Sequence, residues 1–131
     1  MDAEIEKFKI LIVDDSDFSR TNISSMLESD RYQVIGEAES AKEAIDILKD
    51  RSAHIAIVDI VMPEVSGIEL AEYLHENFSD LAIIMISSLG QESIIIDSIS
   101  AGASDFIQKP FKKEELITSI EKVISSIREE Q

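Results

Sequence analysis

The sequence predicts a doubly wound α/β sandwich, a five-stranded parallel sheet in the order 2-1-3-4-5 with helices on both faces. Three observations carry this. Short apolar runs alternate five times with stretches of helical periodicity. The connections between them are short, as in βα repeats that build a parallel sheet. Right-handed crossovers then distribute the helices over both faces. A length of 131 residues suits one compact domain. That domain is expected over residues 8–128, with 1–7 and 129–131 as terminal extensions.

The first strand is Phe8 to Val13, a near-continuous apolar run that leads directly into Asp14 and Asp15. Asp17 is expected to cap a helix over 18–29, with Phe18, Ile23, Met26 and Leu27 as its buried stripe. A short second strand follows at 33–36. Ser40 and Glu43 have capping-box spacing ahead of a helix that buries Ala44, Ile45 and Leu48. The third strand, 54–58, ends in Asp59. Residues 62–67 have loop chemistry, and Ser66 with Glu69 opens a helix to about Asn77. The fourth strand, 81–86, ends at Ser87-Ser88. Ser88 and Gln91 have capping spacing before a helix that Gly102 terminates. The fifth strand, 104–108, precedes Lys109-Pro110. A last helix over 112–128 presents Leu116, Ile120, Val123 and Ile127 on one face, with Ile117 and Ile124 beside them.

Composition narrows the function classes. The chain is 44% hydrophobic and 30% charged, which is a soluble globular balance. Its longest apolar run, Leu81 to Ile86, is far too short for membrane insertion. The acidic N-terminus lacks a signal-peptide core, so the expected compartment is the cytoplasm, and the absence of cysteine is compatible with that while excluding disulfides and thiolate metal sites. A net charge of -15 opposes nucleic-acid binding and favours a hard cation or a basic patch on a partner.

In an open parallel sheet the carboxyl ends of the strands meet at one edge. Here they carry Asp14, Asp15, Glu37, Asp59, Ser87 and Lys109. Strands 1 and 3 flank the topological switch point, so Asp14, Asp15 and Asp59 are expected to converge. Three close carboxylates need a compensating cation. All-oxygen ligands favour Mg²⁺, with Mn²⁺ as a substitute. A carboxylate nucleophile, a lysine ammonium and a hydroxyl beside such a cation are equipment for phosphoryl transfer.

These motifs resemble the receiver domains of two-component response regulators. The matching features are Leu11 to Asp15, Asp59 followed by Met62-Pro63 and Gly67, Ser87, and Phe106 ahead of Lys109-Pro110-Phe111. The resemblance is nearest to stand-alone chemotaxis regulators of the CheY type, and their fold is the flavodoxin-like sandwich expected above. It implies that Asp59 accepts the phosphoryl group, that Asp15 binds Mg²⁺ directly and Asp14 partly through water, and that the Val61 carbonyl is a further ligand. By the same resemblance Ser87 is the switch hydroxyl, Lys109 the phosphate-sensing lysine, and the Lys109-Pro110 bond is cis.

The implied function is that of a single-domain signalling protein rather than a conventional enzyme. A histidine kinase or phosphotransfer protein is the implied donor. The target is a protein bound by the fourth helix, fifth strand and fifth helix, with Phe106 as the moving element. Ile95 and Ile99 are expected at the exposed edge of that face. Val61 and Leu89, two residues beyond Asp59 and Ser87, are apolar where many relatives are polar. They cannot orient a water, so slow loss of phosphate is expected.

Alternatives remain. Within the family, a phosphorelay intermediate or an adaptor is the second reading. Asp15-Ser16-Asp17-Phe18-Ser19 imitates the first motif of haloacid-dehalogenase-type phosphohydrolases, but only Glu114 and Glu115 follow Lys109 as a late acidic pair. A flavodoxin-like electron carrier would place Asp14, Asp15 and Asp17 against the flavin phosphate, and the chain has no Trp to stack on the ring.

Overall fold

The computed structural model describes residues 7–129. The expected extensions lie outside these residues, apart from Lys7 and Glu129. Five strands and five helices alternate: β1 Phe8–Val13, α1 Asp17–Met26, β2 Tyr32–Ala38, α2 Ala41–Asp50, β3 Ile55–Asp59, α3 Gly67–Asn77, β4 Ala82–Ser87, α4 Glu92–Ser100, β5 Asp105–Gln108 and α5 Lys113–Glu129. The strands form one sheet in the order β2-β1-β3-β4-β5. Every pairing is parallel. No helix among the described residues is long and apolar enough to cross a membrane.

Strand alternation sorts the core into two layers. Leu11, Val13, Ala56, Val58, Ile83 and Met85 face one way and pack with Ala44 and Leu48 of α2 and Leu70, Ala71 and Leu74 of α3. Ile10, Ile12, Ile55, Ile57, Ile84 and Ile86 face the other way, against Ile23 and Leu27 and against Leu116, Ile120, Val123 and Ile124 of α5. Both faces are apolar because both are covered, so the central strands read as continuous hydrophobic runs.

Several expected boundaries move. β2 extends to Ala38, carried by pairing with all of β1 across an irregularity between Ile10 and Leu11. Ser16, not Asp17, caps α1, its side chain accepting from the Ser19 amide at 3.2 Å. Asp17 is instead the first helical residue and pairs with Arg20. The helix stops at Met26, short of the expected 29. Phe18 is 82% exposed and does not belong to the buried stripe. Five residues from Ile23, it lies about 140° around the helix at 3.6 residues per turn, on another face.

Ser40 caps α2 as expected, but the Glu43 carboxylate accepts from the Glu39 amide instead of closing the box on Ser40. The Ser66–Glu69 capping box of α3 is complete. Ser88 does not cap α4, whose N-cap is Gln91 without a side-chain bond. Gly102, at φ 109°, ends α4 in the left-handed region and lies against the His75 ring. In α5, Ile124 is more deeply buried than Ile127, which packs at the margin.

Candidate functional site

Strand register builds the site. Val13 of β1 lies opposite Val58 of β3. The next residues on these neighbours, Asp14 and Asp59, therefore emerge side by side. Ser87 of β4 pairs with Gln108 of β5, so Lys109 follows at the same edge. The Lys109 amide donates to the Ser87 carbonyl at 2.8 Å, fixing where the lysine leaves the sheet. The Lys109-Pro110 peptide is cis. Gly67 closes the loop after β3: its amide donates to the Ile60 carbonyl at 2.8 Å. A Cβ there would lie 2.2 Å from the Asp59 carbonyl oxygen, so only glycine permits α3 to begin this close to the acidic strand end.

Asp14, Asp15 and Asp59 each offer a carboxylate oxygen, and these atoms lie within 4.8 Å of one another. Asp14 and Asp59 are buried, while Asp15 is exposed. Lys109 Nζ donates to Asp14 Oδ2 at 2.7 Å and to Asp59 Oδ2 at 3.4 Å. One ammonium thus bridges two of three carboxylates. The set is hard, oxygen-only and over-supplied with negative charge, which fits Mg²⁺ or Mn²⁺.

The two buried acids differ. Burial alone would raise the Asp14 carboxyl, but Lys109, the Ser19 hydroxyl at 2.6 Å and the Ser16 amide at 2.9 Å hold it below the ordinary carboxylate range. Burial pushes Asp59 up to about 6 against the opposing charge of Lys109, and the Asp14 charge adds to the rise. Its Oδ1 has a long bond of 3.4 Å from the Val61 amide. Asp14 is therefore satisfied as an anion, whereas Asp59 is short of partners. A weakly solvated carboxylate at the mouth of an acidic cup is a competent nucleophile once a cation is present.

The other predicted residues fall as follows. Ser87 is fully buried and its hydroxyl accepts from the Leu89 amide at 2.9 Å. Val61 and Leu89 are exposed, each the second residue of the loop that follows Asp59 or Ser87. Phe106 is half-buried against the α2–α3 layer. Ile95 and Ile99 are 36% and 49% exposed on α4, and Ile96, at 54%, joins them. Ile94 packs inward. Glu37 lies within β2 and pairs with Arg20 at 3.5 Å. Glu114 and Glu115 are exposed in the first turn of α5 and outside the carboxylate cluster. The phosphohydrolase reading therefore lacks its late acidic pair, and Asp59 has the place that reading left unexplained.

Sequence reasoning missed Ser16, Ser19 and Arg20. Arg20 donates to the Asp14 backbone carbonyl at 2.5 Å and also reaches Asp17 and Glu37, tying α1 to the ends of β1 and β2. The available signal was spacing. Ser16 and Ser19 stand three apart at a helix start, immediately after the acidic strand end.

Fold and site together define a doubly wound domain with an acidic, lysine-bridged strand edge. The profile of the response regulator receiver domain family matches residues 10–121. The chemotaxis protein CheY of Bacillus subtilis is 38% identical over 117 residues, 89% of this chain and 98% of that protein. CheY of Thermotoga maritima is 36% identical over 115 residues, 88% of this chain and 96% of that protein. Among solved structures, a CheX–CheY–BeF3–Mg²⁺ complex from Borrelia burgdorferi has a chain with a TM-score of 0.85 at 31% identity, covering 89% of each. The chain belongs to the response regulator receiver domain family and is closely related to CheY.

Proposed function

We propose that this protein is a chemotaxis-type response regulator that accepts a phosphoryl group on Asp59. One observation carries the reading: register brings Asp14, Asp15 and Asp59 within 4.8 Å, with Lys109 spanning two of them. The Borrelia relative, solved with Mg²⁺ and the phosphoryl mimic BeF3, supports it.

Asp14, Asp15 and Asp59 would hold Mg²⁺, with the Val61 carbonyl as the further ligand. The ion, when bound, neutralises charge on the phosphoryl oxygens. An oxygen of the Asp59 carboxylate attacks phosphorus, the P–N bond of a phosphohistidine donor breaks, and the imidazole leaves with the bonding pair and takes up a proton. Lys109 follows the new charge, and the Ser87 hydroxyl turns to donate to a phosphoryl oxygen. Movement of Ser87 opens space for Phe106 and biases an existing equilibrium of the α4–β5–α5 face. Ile95, Ile96 and Ile99 are the apolar part of that face, where a protein target would bind. Reversal breaks the P–O bond to Asp59 by attack of water, a step that Val61 and Leu89 do not assist.

Incubation with a small phosphodonor and Mg²⁺ tests the reading. The wild type should gain one phosphoryl group and Asp59→Asn none. Labelling that survives Asp59→Asn and disappears in Asp15→Asn would support the phosphohydrolase reading instead.

A further inference from the structure

We propose that Ser19 is a positioning residue that frees Lys109 from Asp14 so that the lysine can follow the phosphoryl group. This rests on Asp59 as phosphoacceptor. Lys109 begins nearer the wrong carboxylate: it is 2.7 Å from Asp14 Oδ2 and 3.4 Å from Asp59 Oδ2. Asp14 has no exposed surface. Mg²⁺ would offset the charge of Asp14, but the buried oxygen that the lysine vacates would still need a hydrogen-bond donor, and the penalty of leaving it without one would oppose the move.

The hydrogen bonds around Asp14 remove that penalty. Its Oδ1 accepts from the Ser16 amide at 2.9 Å, independent of the lysine. Its Oδ2 accepts from both Lys109 and the Ser19 hydroxyl, the latter at 2.6 Å. When Lys109 leaves, Ser19 remains. Ser19 in turn is fixed by its place in the first turn of α1, where its amide is bound by the Ser16 cap at 3.2 Å. Arg20, one residue on, holds the Asp14 carbonyl at 2.5 Å, so the serine and the acid cannot drift apart. Neither Ser16 nor Ser19 touches Asp59 through any described hydrogen bond. Ser19 therefore acts through the lysine and not on the reacting atoms.

Alanine at 19 keeps the helix, since alanine is the better helix former. It leaves Lys109 as the only side-chain partner of Asp14 Oδ2, which pins the lysine.

Binding of beryllofluoride with Mg²⁺, followed by NMR titration of the full chain, tests this. Ser19→Ala should weaken beryllofluoride binding by about tenfold, the value of one hydrogen bond to a charged group. Ser19→Thr, which retains the hydroxyl, should restore it to within roughly twofold. In a Lys109→Met background, Ser19→Ala should have almost no further effect. Equal affinities for wild type and Ser19→Ala would overturn the proposal. So would a tenfold loss that persists without Lys109, because the effect would then bypass the lysine. Failure of the wild type itself to bind beryllofluoride would overturn the Asp59 reading, and is distinguished by that control.

Discussion

At the carboxyl edge of the sheet, three clustered carboxylates have one ammonium among them: Lys109 pairs with Asp14 and Asp59 but not with Asp15. At the amino edge, a single carboxylate, Glu121, has more partners than it needs. Arg31 grips both its oxygens at 2.6 Å, and the Tyr32 hydroxyl donates to it as well. This closes β2 onto α5. Nearby, Phe8 lies under the guanidiniums of Arg31 and Arg128 at 5.2 and 5.5 Å, with the His54 ring edge-on at 5.4 Å. His54 Nδ1 accepts from the Lys9 amide at 2.8 Å. One edge is electrostatically saturated and holds the fold. The other is left short of cations, a deficit that a divalent metal ion would offset.

The largest test of the contrast is Asp59→Asn. Removing a carboxylate whose burial raises it to about 6 should stabilise the metal-free protein at neutral pH by about 2–3 kcal/mol, read from urea midpoints. The sign follows from the direction of the shift. The folded state holds the Asp59 proton more tightly than the unfolded one, so the contribution of Asp59 to stability is lost as pH rises from about 4 to about 6. The gap between variant and wild type should therefore widen across that window. A constant gap would refute the burial explanation.

The amino edge has the opposite sign. Arg31 holds the Glu121 carboxyl below its usual range, and burial holds His54 below its own. Both contribute stability that is lost as pH falls, His54 first and Glu121 at lower pH. In the wild type the acid loss from His54 partly masks the gain from Asp59, which is why the variant comparison is needed.

Mg²⁺ should sharpen the difference next. At roughly 20 times its dissociation constant it should raise stability by about 1–2 kcal/mol. Asp15→Asn should reduce that gain, while Glu121→Gln should not. A comparable kinetic effect is expected at the rim. Replacing Val61 with Asn should speed loss of phosphate about tenfold, if one hydrogen bond to the attacking water is gained. A wild type that already loses phosphate rapidly in Mg²⁺ without a phosphatase would contradict this. The smallest effect belongs to the saturated edge: Glu121→Gln should cost about 1 kcal/mol, discounted because the pair is partly solvated. Phosphoryl labelling should be unchanged.

The central layer of this molecule was legible in the sequence because burial on both faces leaves little choice of residue. The apolar runs of β1, β3 and β4 announce themselves, and each of these three carries a candidate site residue, Asp14, Asp59 or Ser87, directly after its last apolar residue. Register then does the rest, so Asp14, Asp15, Asp59 and Lys109 fall together as expected. What escaped lies where position around a helix decides direction. The cap of α1 is Ser16 and not Asp17, Phe18 lies about 140° around the helix from Ile23, and Ser19 reaches Asp14. On α4, four apolar residues crowd a nine-residue helix, and periodicity could not show that Ile96 would join Ile95 and Ile99 outside. Arg20 was invisible for a different reason: its main partner is a backbone carbonyl, which no side-chain pattern records.

The most direct measurement maps the phosphoryl group itself. After incubation with a small phosphodonor and Mg²⁺, the acyl phosphate is trapped by borohydride reduction and located by peptide mass spectrometry. A single modification at Asp59, absent when Mg²⁺ is chelated, is the expected result. A modification at Asp15 or Asp14 with Asp59 untouched would contradict the assignment of the under-partnered acid as the reactive one.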